Sequence, residues 1–249
     1  MKQLRIRCSL IGKLMTEPTA AAAKAGEVLS QGAKTAIREL AAQDILGIDF
    51  ETTSKQMEKG IRCEPGAIAL LNDVLGLKLT KNTERRTDDF LTGEADLFHA
   101  PQRAGFDIKC AWSAATFPIL PEDIGGSQCT LYEWQCRGYL RLWDADRWTV
   151  AYALLDTPDD LIGYEPQSMH FVSHIPADMR LTMWTIERDA ALEARMVEKV
   201  RQARDYYAQV IAEFDRTHRL PGAEPAAAPT PAVAKPAAKP QAEPALPNF

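Results

Sequence analysis

Apolar side chains recurring every three or four residues mark four helical stretches in the chain. One follows Ser30 and runs to about residue 43, a second spans about 58–74, a third 131–143 and a long one 190–214. In the last, Met196, Val200, Ala203, Tyr207, Val210 and Phe214 recur at the interval of a single inward stripe. Between helices the pattern changes to alternation, so residues 77–80, 90–98, 105–112, 148–155 and 180–187 read as short strands. Helices, a strand cluster, another helix and further strands predict an α/β fold with a central mixed sheet flanked by helices.

The periodicity stops near residue 220. From Pro221 to Phe249, proline and alanine fill 18 of 29 positions. Proline opposes helix, and so few bulky apolar groups cannot offset the entropy of ordering, so a disordered tail is expected. Its closing Leu-Pro-Asn-Phe reads either as a docking end for a partner or as part of an inert extension. Residues 1–220 are expected to form one domain.

Composition narrows the function classes. The 249 residues are 46% hydrophobic with a net charge of −5, so nucleic acid or membrane would have to meet a local basic patch. No stretch approaches the ~20 apolar residues of a membrane-spanning helix, so no membrane partner is expected. The opening Met-Lys-Gln-Leu-Arg-Ile-Arg-Cys lacks the apolar core of a secretory signal, which points to the cytoplasm. Five cysteines, an odd number without a Cys-x-x-Cys pair, argue against a disulfide framework and read as reduced core thiols.

Chemistry concentrates in Gly105-Phe-Asp-Ile-Lys-Cys-Ala-Trp112. On a strand Asp107 and Lys109 share one face, while Phe106, Ile108, Cys110 and Trp112 share the other. Alone, such a pair is also what an exposed ion-pair edge looks like. In Leu91-Thr-Gly-Glu-Ala-Asp-Leu-Phe98, Glu94 and Asp96 share a face, and a loop containing Pro101 can return this strand beside the next. Pairing would gather Asp96, Asp107 and Lys109, two carboxylates and an ammonium suited to a hard divalent cation and its attacking water. Upstream, Glu64 heads the apolar face Ala67, Ile68 and Leu71; it reads either as a buried ligand or as a helix-capping acid beside Pro65. Downstream, Gln135 and Tyr139 lie one helical turn apart.

In this order, Gly60-x-x-x-Glu64, Asp96, Asp107-x-Lys109 and Gln135-x-x-x-Tyr139 resemble the PD-(D/E)XK nuclease superfamily. More narrowly, they are similar to phage lambda-type recombination exonucleases and their RecB-nuclease-domain relatives. The likeness covers roughly residues 1–215, including Arg7-Cys8-Ser9 and Ile186-Glu-Arg-Asp189, with Ala95 standing where the superfamily's name has proline. It implies a restriction-endonuclease-like core and a metal-dependent phosphodiesterase. Asp96, Asp107 and the carbonyl of Ile108 would hold Mg²⁺, with Mn²⁺ as a substitute, and Glu64 a second ion directly or through water. Which acid of the 91–98 strand ligates, Asp96 alone or with Glu94, stays open. Lys109 would orient the attacking water, and Gln135 and Tyr139 would position the scissile backbone or support Lys109.

A nuclease needs basic side chains against phosphates even when acidic overall. Lys78, Lys81, Arg85, Arg86, Arg137 and Arg141 are the candidates, each with a solvated surface as its alternative. Trp112, beside Ser113, and Trp134 could stack on bases or simply pack. Arg7 and Ser9 would meet a 5′ end or neighbouring backbone. The resemblance implies resection of double-stranded DNA ends in the 5′→3′ direction, handover of the remaining strand to a single-strand annealing protein, and a homo-oligomeric ring, often a trimer. An endonuclease of the same superfamily and a catalytically idle DNA-binding adaptor are the alternatives. His170 and His174 have helical metal spacing, but Pro176 and the extended Phe171-Val-Ser speak against a zinc site there. The sequence holds no Gly-x-x-x-x-Gly-Lys loop and no cysteine cluster, so neither an ATPase motor nor an iron–sulfur site is expected.

Overall fold

Residues 4–50, 52–125 and 129–218 are described by a computed structural model, and the Ala/Pro-rich segment 221–249 lies outside the described residues. Two mixed sheets carry the fold. Strands β1 (Ile6–Arg7), β2 (Arg85–Thr87) and β3 (Leu91–Glu94) form a small sheet in the order β1-β3-β2. Strands β4 (Leu97–His99), β5 (Ala104–Cys110), β6 (Arg147–Ala153) and β7 (Leu181–Glu187) form a larger one in that order. Only Ala95 and Asp96 separate the two, so the continuous strand expected over 90–98 is broken in the middle.

Helices α1 (Cys8–Leu14), α2 (Ala20–Lys24), α3 (Gln31–Leu46), α4 (Lys55–Leu75), α5 (Pro121–Ile124), α6 (Cys129–Trp143), α7 (Asp159–Ile162) and α8 (Ala190–His218) complete the domain. Local chemistry sets the boundaries of the longer ones. Ser30 and Ser54 accept the backbone N–H of Ala33 (3.0 Å) and Met57 (3.2 Å), capping α3 and α4. Gly47 (φ 66°) and Gly76 (φ 64°) end these helices in the left-handed conformation that glycine adopts freely.

The apolar face of α4 (Ala67, Leu70, Leu71) packs on one side of the larger sheet against Leu97, Ala151 and Ala153. Helices α1, α3, α6 and α8 build the other layer, where Ile11, Leu14, Ile37, Leu140, Met196 and Val200 belong to one core with the fully buried Trp148. Helix α1, which apolar spacing did not mark, crosses α6 closely. A Cβ on Gly138 would stand 2.7 Å from Ile11 Cδ1, so glycine permits the crossing.

Two expectations need correction. Residues 77–80 form no strand, because their backbone has no strand to pair with; Asn72 instead brackets Leu79, donating to its carbonyl (2.8 Å) and accepting its N–H (2.9 Å). Nor does Glu64 cap a helix: α4 begins at Lys55, Pro65 lies within it, and Glu64 sits mid-helix.

Candidate active site

The break between β3 and β4 creates the site. Asn82 holds the chain there, its side chain donating to the Ala95 carbonyl (3.0 Å) and its backbone N–H to the Asp96 carbonyl (2.7 Å). With pairing interrupted, the Asp96 side chain is free to turn, and its Oδ2 accepts the Ile108 N–H at 2.7 Å. An extended residue presents its N–H and carbonyl to the same edge, so the Ile108 carbonyl faces the same opening. Glu94 parts company with Asp96: it is exposed and pairs with Arg85 at 3.0 Å. This resolves in favour of Asp96 which acid of the strand turns inward.

On β5 the period of two holds. Asp107 is 1% exposed; its Oδ1 accepts from Gln135 Nε2 at 3.0 Å, and its Oδ2 lies 2.7 Å from Lys109 Nζ. Gln135 Nε2 also donates to the Tyr139 hydroxyl (3.0 Å), which donates to the Glu94 carbonyl (3.2 Å). One face of α6 thus supports the acid strand from behind. Glu64 projects from α4 on the opposite wall, ion-paired to Lys81. Glu64, Lys81, Asp96, Asp107, Lys109 and Gln135 line a cavity of about 520 Å³, the size of a small-molecule site.

Burial and mutual charge shift the two groups at the centre of this cavity. Burial, with the Asp107 charge beside it, pushes the Asp96 carboxyl up to about 7 despite Lys109. For Lys109 burial works the other way, but the Asp107 and Asp96 carboxylates outweigh it and hold the amine above its ordinary value. Asp107 Oδ2 is buried, and the Lys109 ammonium at 2.7 Å is the group it meets. Among the described residues no three acidic, His or Cys side chains converge closely enough to grip an ion as they stand, and Glu64 is ion-paired to Lys81. The oxygen donors lining the cavity, the Asp96, Asp107 and Glu64 carboxylates with the Ile108 carbonyl, are of the type that could hold a hard cation.

A cation test follows from Asp96. Because its native carboxyl titrates above the unfolded value, the metal-free protein holds a proton the unfolded chain has lost, and stability falls as pH rises toward and through about 7. Cation binding displaces that proton. Saturating Mg²⁺ or Mn²⁺ is therefore expected to raise Tm by about 5–10 °C near pH 8 and by much less near pH 5.5. Equal shifts at both pH values in a thermal melt would contradict the assignment.

Other expected site residues scatter. Arg137 is 8% exposed, bonded to Glu133 (2.6 Å) and the Glu187 carbonyl (3.4 Å), so it faces the interior rather than a phosphate. Trp134 is buried beneath Arg137 and Arg195, and Ser113 is buried capping the short turn Ala114–Thr116, so neither presents itself to DNA. Trp112 is half-buried, donating to Glu165 and edge-on to His170, its ring already engaged. Arg141 pairs with Asp88 (2.6 Å) and Arg86 with Glu84 (2.9 Å), both half-buried. Arg7, Ser9, Lys78, Lys81 and Arg85 are exposed. His170 is buried between Thr157 and Glu165 while His174 is exposed, which separates them.

Sequence reasoning passed over Lys59. Its ammonium, fully buried, donates to the carbonyls of Ala111 (2.7 Å), Trp112 (3.0 Å) and Leu155 (2.9 Å), fixing the helix that carries Glu64 to the ends of β5 and β6. Burial lowers its pKa. With Lys55, Glu58 and Arg62 around it on the helix, Lys59 reads as one more solvated charge and gives no local sign of this role.

No family model and no curated protein matches the chain. Among solved structures, a phage related exonuclease from Haemophilus somnus 129PT superposes with a TM-score of 0.78 at 35% identity, covering 85% of this chain and 97% of that one. The alkaline exonuclease LHK-Exo from Laribacter hongkongensis superposes at 0.61 with 16% identity, over 85% of this chain and 92% of its own. Its complex with dAMP gives 0.59 at 18%, over the same shares. At such identity the LHK-Exo likeness speaks to the fold alone.

Proposed function

Since this chain belongs to the phage exonucleases, the lambda-type branch of the PD-(D/E)XK nucleases, we propose that it is a Mg²⁺-dependent exonuclease acting 5′→3′ on double-stranded DNA ends. The observation that carries the proposal is the meeting of Asp96, Asp107 and Lys109 at the break between the two sheets. Asp96, Asp107 and the Ile108 carbonyl would hold the cation, with Glu64 swinging from Lys81 to complete the set. When bound, the cation supplies Lewis-acid charge to the phosphate and acidifies water. Lys109 orients the attacking water and offsets the charge that develops on the phosphate. Gln135 fixes the Asp107 carboxylate and Tyr139 fixes Gln135, so the acids stay aimed. LHK-Exo is known in complex with dAMP, and a cavity of about 520 Å³ here has room for a nucleotide.

Exposed Arg7, Ser9, Lys78, Lys81 and Arg85 are the side chains left to meet phosphates. The single strand left behind would pass to an annealing protein, and the active form would be a homo-oligomeric ring of three subunits. Linear duplex labelled at either 5′ or 3′ end, digested with Mg²⁺, tests the activity and its direction together. Early release of the 5′ label, with a covalently closed circle left intact, is expected. Cutting of the circle would make the enzyme an endonuclease, and no release from any duplex would leave only a DNA-binding module.

A further inference from the structure

The arrangement of α6 extends the site by one residue that the Gln-x-x-x-Tyr spacing omits. Tyr132 lies three residues before Gln135 and seven before Tyr139, so all three share one helical face. That face looks onto β5. The Lys109 ammonium sits between two groups: Asp107 Oδ2 at 2.7 Å and the ring of Tyr132, 5.0 Å from its centroid. Behind the ring stands Tyr152, edge-on at 6.3 Å and 70°, and Tyr152 is the residue on β6 directly beside Lys109. The two tyrosines separate the catalytic cavity from a second cleft of about 560 Å³ lined by Phe117 and Ile119.

A lysine has four rotatable carbons and a compact charge, so one carboxylate does not by itself fix where the ammonium points. An aromatic face in a partly dry pocket attracts it and blocks its other rotamers. We propose that Tyr132 is a positioning residue for Lys109, its ring wedged in place by Tyr152, holding the ammonium over the Asp107 side of the cavity. The inference rests on the nuclease reading above. It is the ring that faces the ammonium, while the hydroxyl is hydrogen-bonded to Tyr152.

The test compares Tyr132→Phe, which keeps the ring, with Tyr132→Leu and Tyr132→Met, which keep apolar bulk without it. On linear duplex with saturating Mg²⁺, Phe is expected to retain kcat within about twofold. Leu and Met are expected to lose about tenfold or more in kcat with KM unchanged. In a Lys109→Ala background, adding Tyr132→Leu is expected to cause no further loss, since the ring then has no ammonium to hold. Full activity in both Leu and Met, equal loss in Phe and Leu, or multiplying losses in the double variant would each overturn the proposal. Misfolding of Leu or Met would appear as a lowered Tm, and Tyr132→Phe then still decides: a loss of about tenfold or more in this ring-retaining variant, at unchanged Tm, refutes the proposal. Should Lys109→Ala alone leave nucleotide release unchanged, it is the nuclease reading that fails, a result separate from any effect at Tyr132.

Discussion

Asp107→Asn is expected to reduce nucleotide release from linear duplex by about 10³-fold or more, with Tm within about 3 °C of the parent. Shape is conserved by the change, so the side chain can still meet Gln135 on α6, and β5 keeps its register between β4 and β6. What disappears is charge. Asp96 loses the neighbour that helps raise its pKa, Lys109 loses its closest counter-charge, and the cavity loses one of its buried carboxylate charges. The removal of repulsion between the two acids and the loss of the Lys109 pair act in opposite directions on stability, which is why folding should change little while catalysis collapses. The same variant should abolish the rise in Tm with Mg²⁺ near pH 8. Residual activity above a few per cent, in a preparation free of host nucleases, would remove Asp107 from the chemistry.

The largest structural effect is expected at Trp148. Its ring is fully buried among Tyr139 (5.2 Å), Trp143 (5.9 Å) and Phe98 (6.2 Å), and truncation to alanine should cost about 3–5 kcal/mol, or roughly 10 °C in Tm. The partner directly across from Trp148 in the sheet is Gly105, and the indole lies over it. A Cβ on Gly105 would fall 2.3 Å from two indole carbons, a contact that a rigid ring in a packed core cannot relieve. Gly105→Ala alone should therefore destabilise by about 1–3 kcal/mol. Combined with Trp148→Ala it should cost almost nothing more, because the clash has been removed. Strict additivity of the two changes, measured by thermal or urea unfolding, would mean that the ring does not lie where the structure places it. The pair also bears on function: Gly105 lies two residues before Asp107 on the strand that carries Lys109, so the core that tolerates only glycine there is the same core that aims the acids.

The chain's local patterns carry some of this and are silent on the rest. Residues on one strand or one helix are related by fixed geometry, so alternation alone placed Asp107 and Lys109 on a common face, and 3–4 spacing alone placed Gln135 beneath Tyr139. The order of the acids along the chain was enough to expect them together at one sheet. The same regularity held for α3, α4, α6 and α8, whose apolar stripes need no partner to be recognised. Tyr132 lay within reach of the same argument, one turn before Gln135, but a tyrosine there is equally a packing residue until its neighbour across the sheet is known.

Tertiary structure decided what depends on contacts between distant segments. The interruption at Ala95–Asp96 exists because Asn82 occupies the carbonyls that a continuing strand would have offered to a neighbour. Arg137, which reads as a phosphate contact or a solvated surface group along the chain, is buried because α6 packs against both α1 and α8, and the same packing decides that Trp134 packs rather than stacks on bases. Lys59 is an internal clamp because three carbonyls converge from two strand ends, and Glu64 faces Lys81 rather than a helix terminus. Periodicity along a chain records which way a side chain points relative to its own backbone; what that side chain then meets depends on segments tens of residues away, and only the assembled packing specifies it.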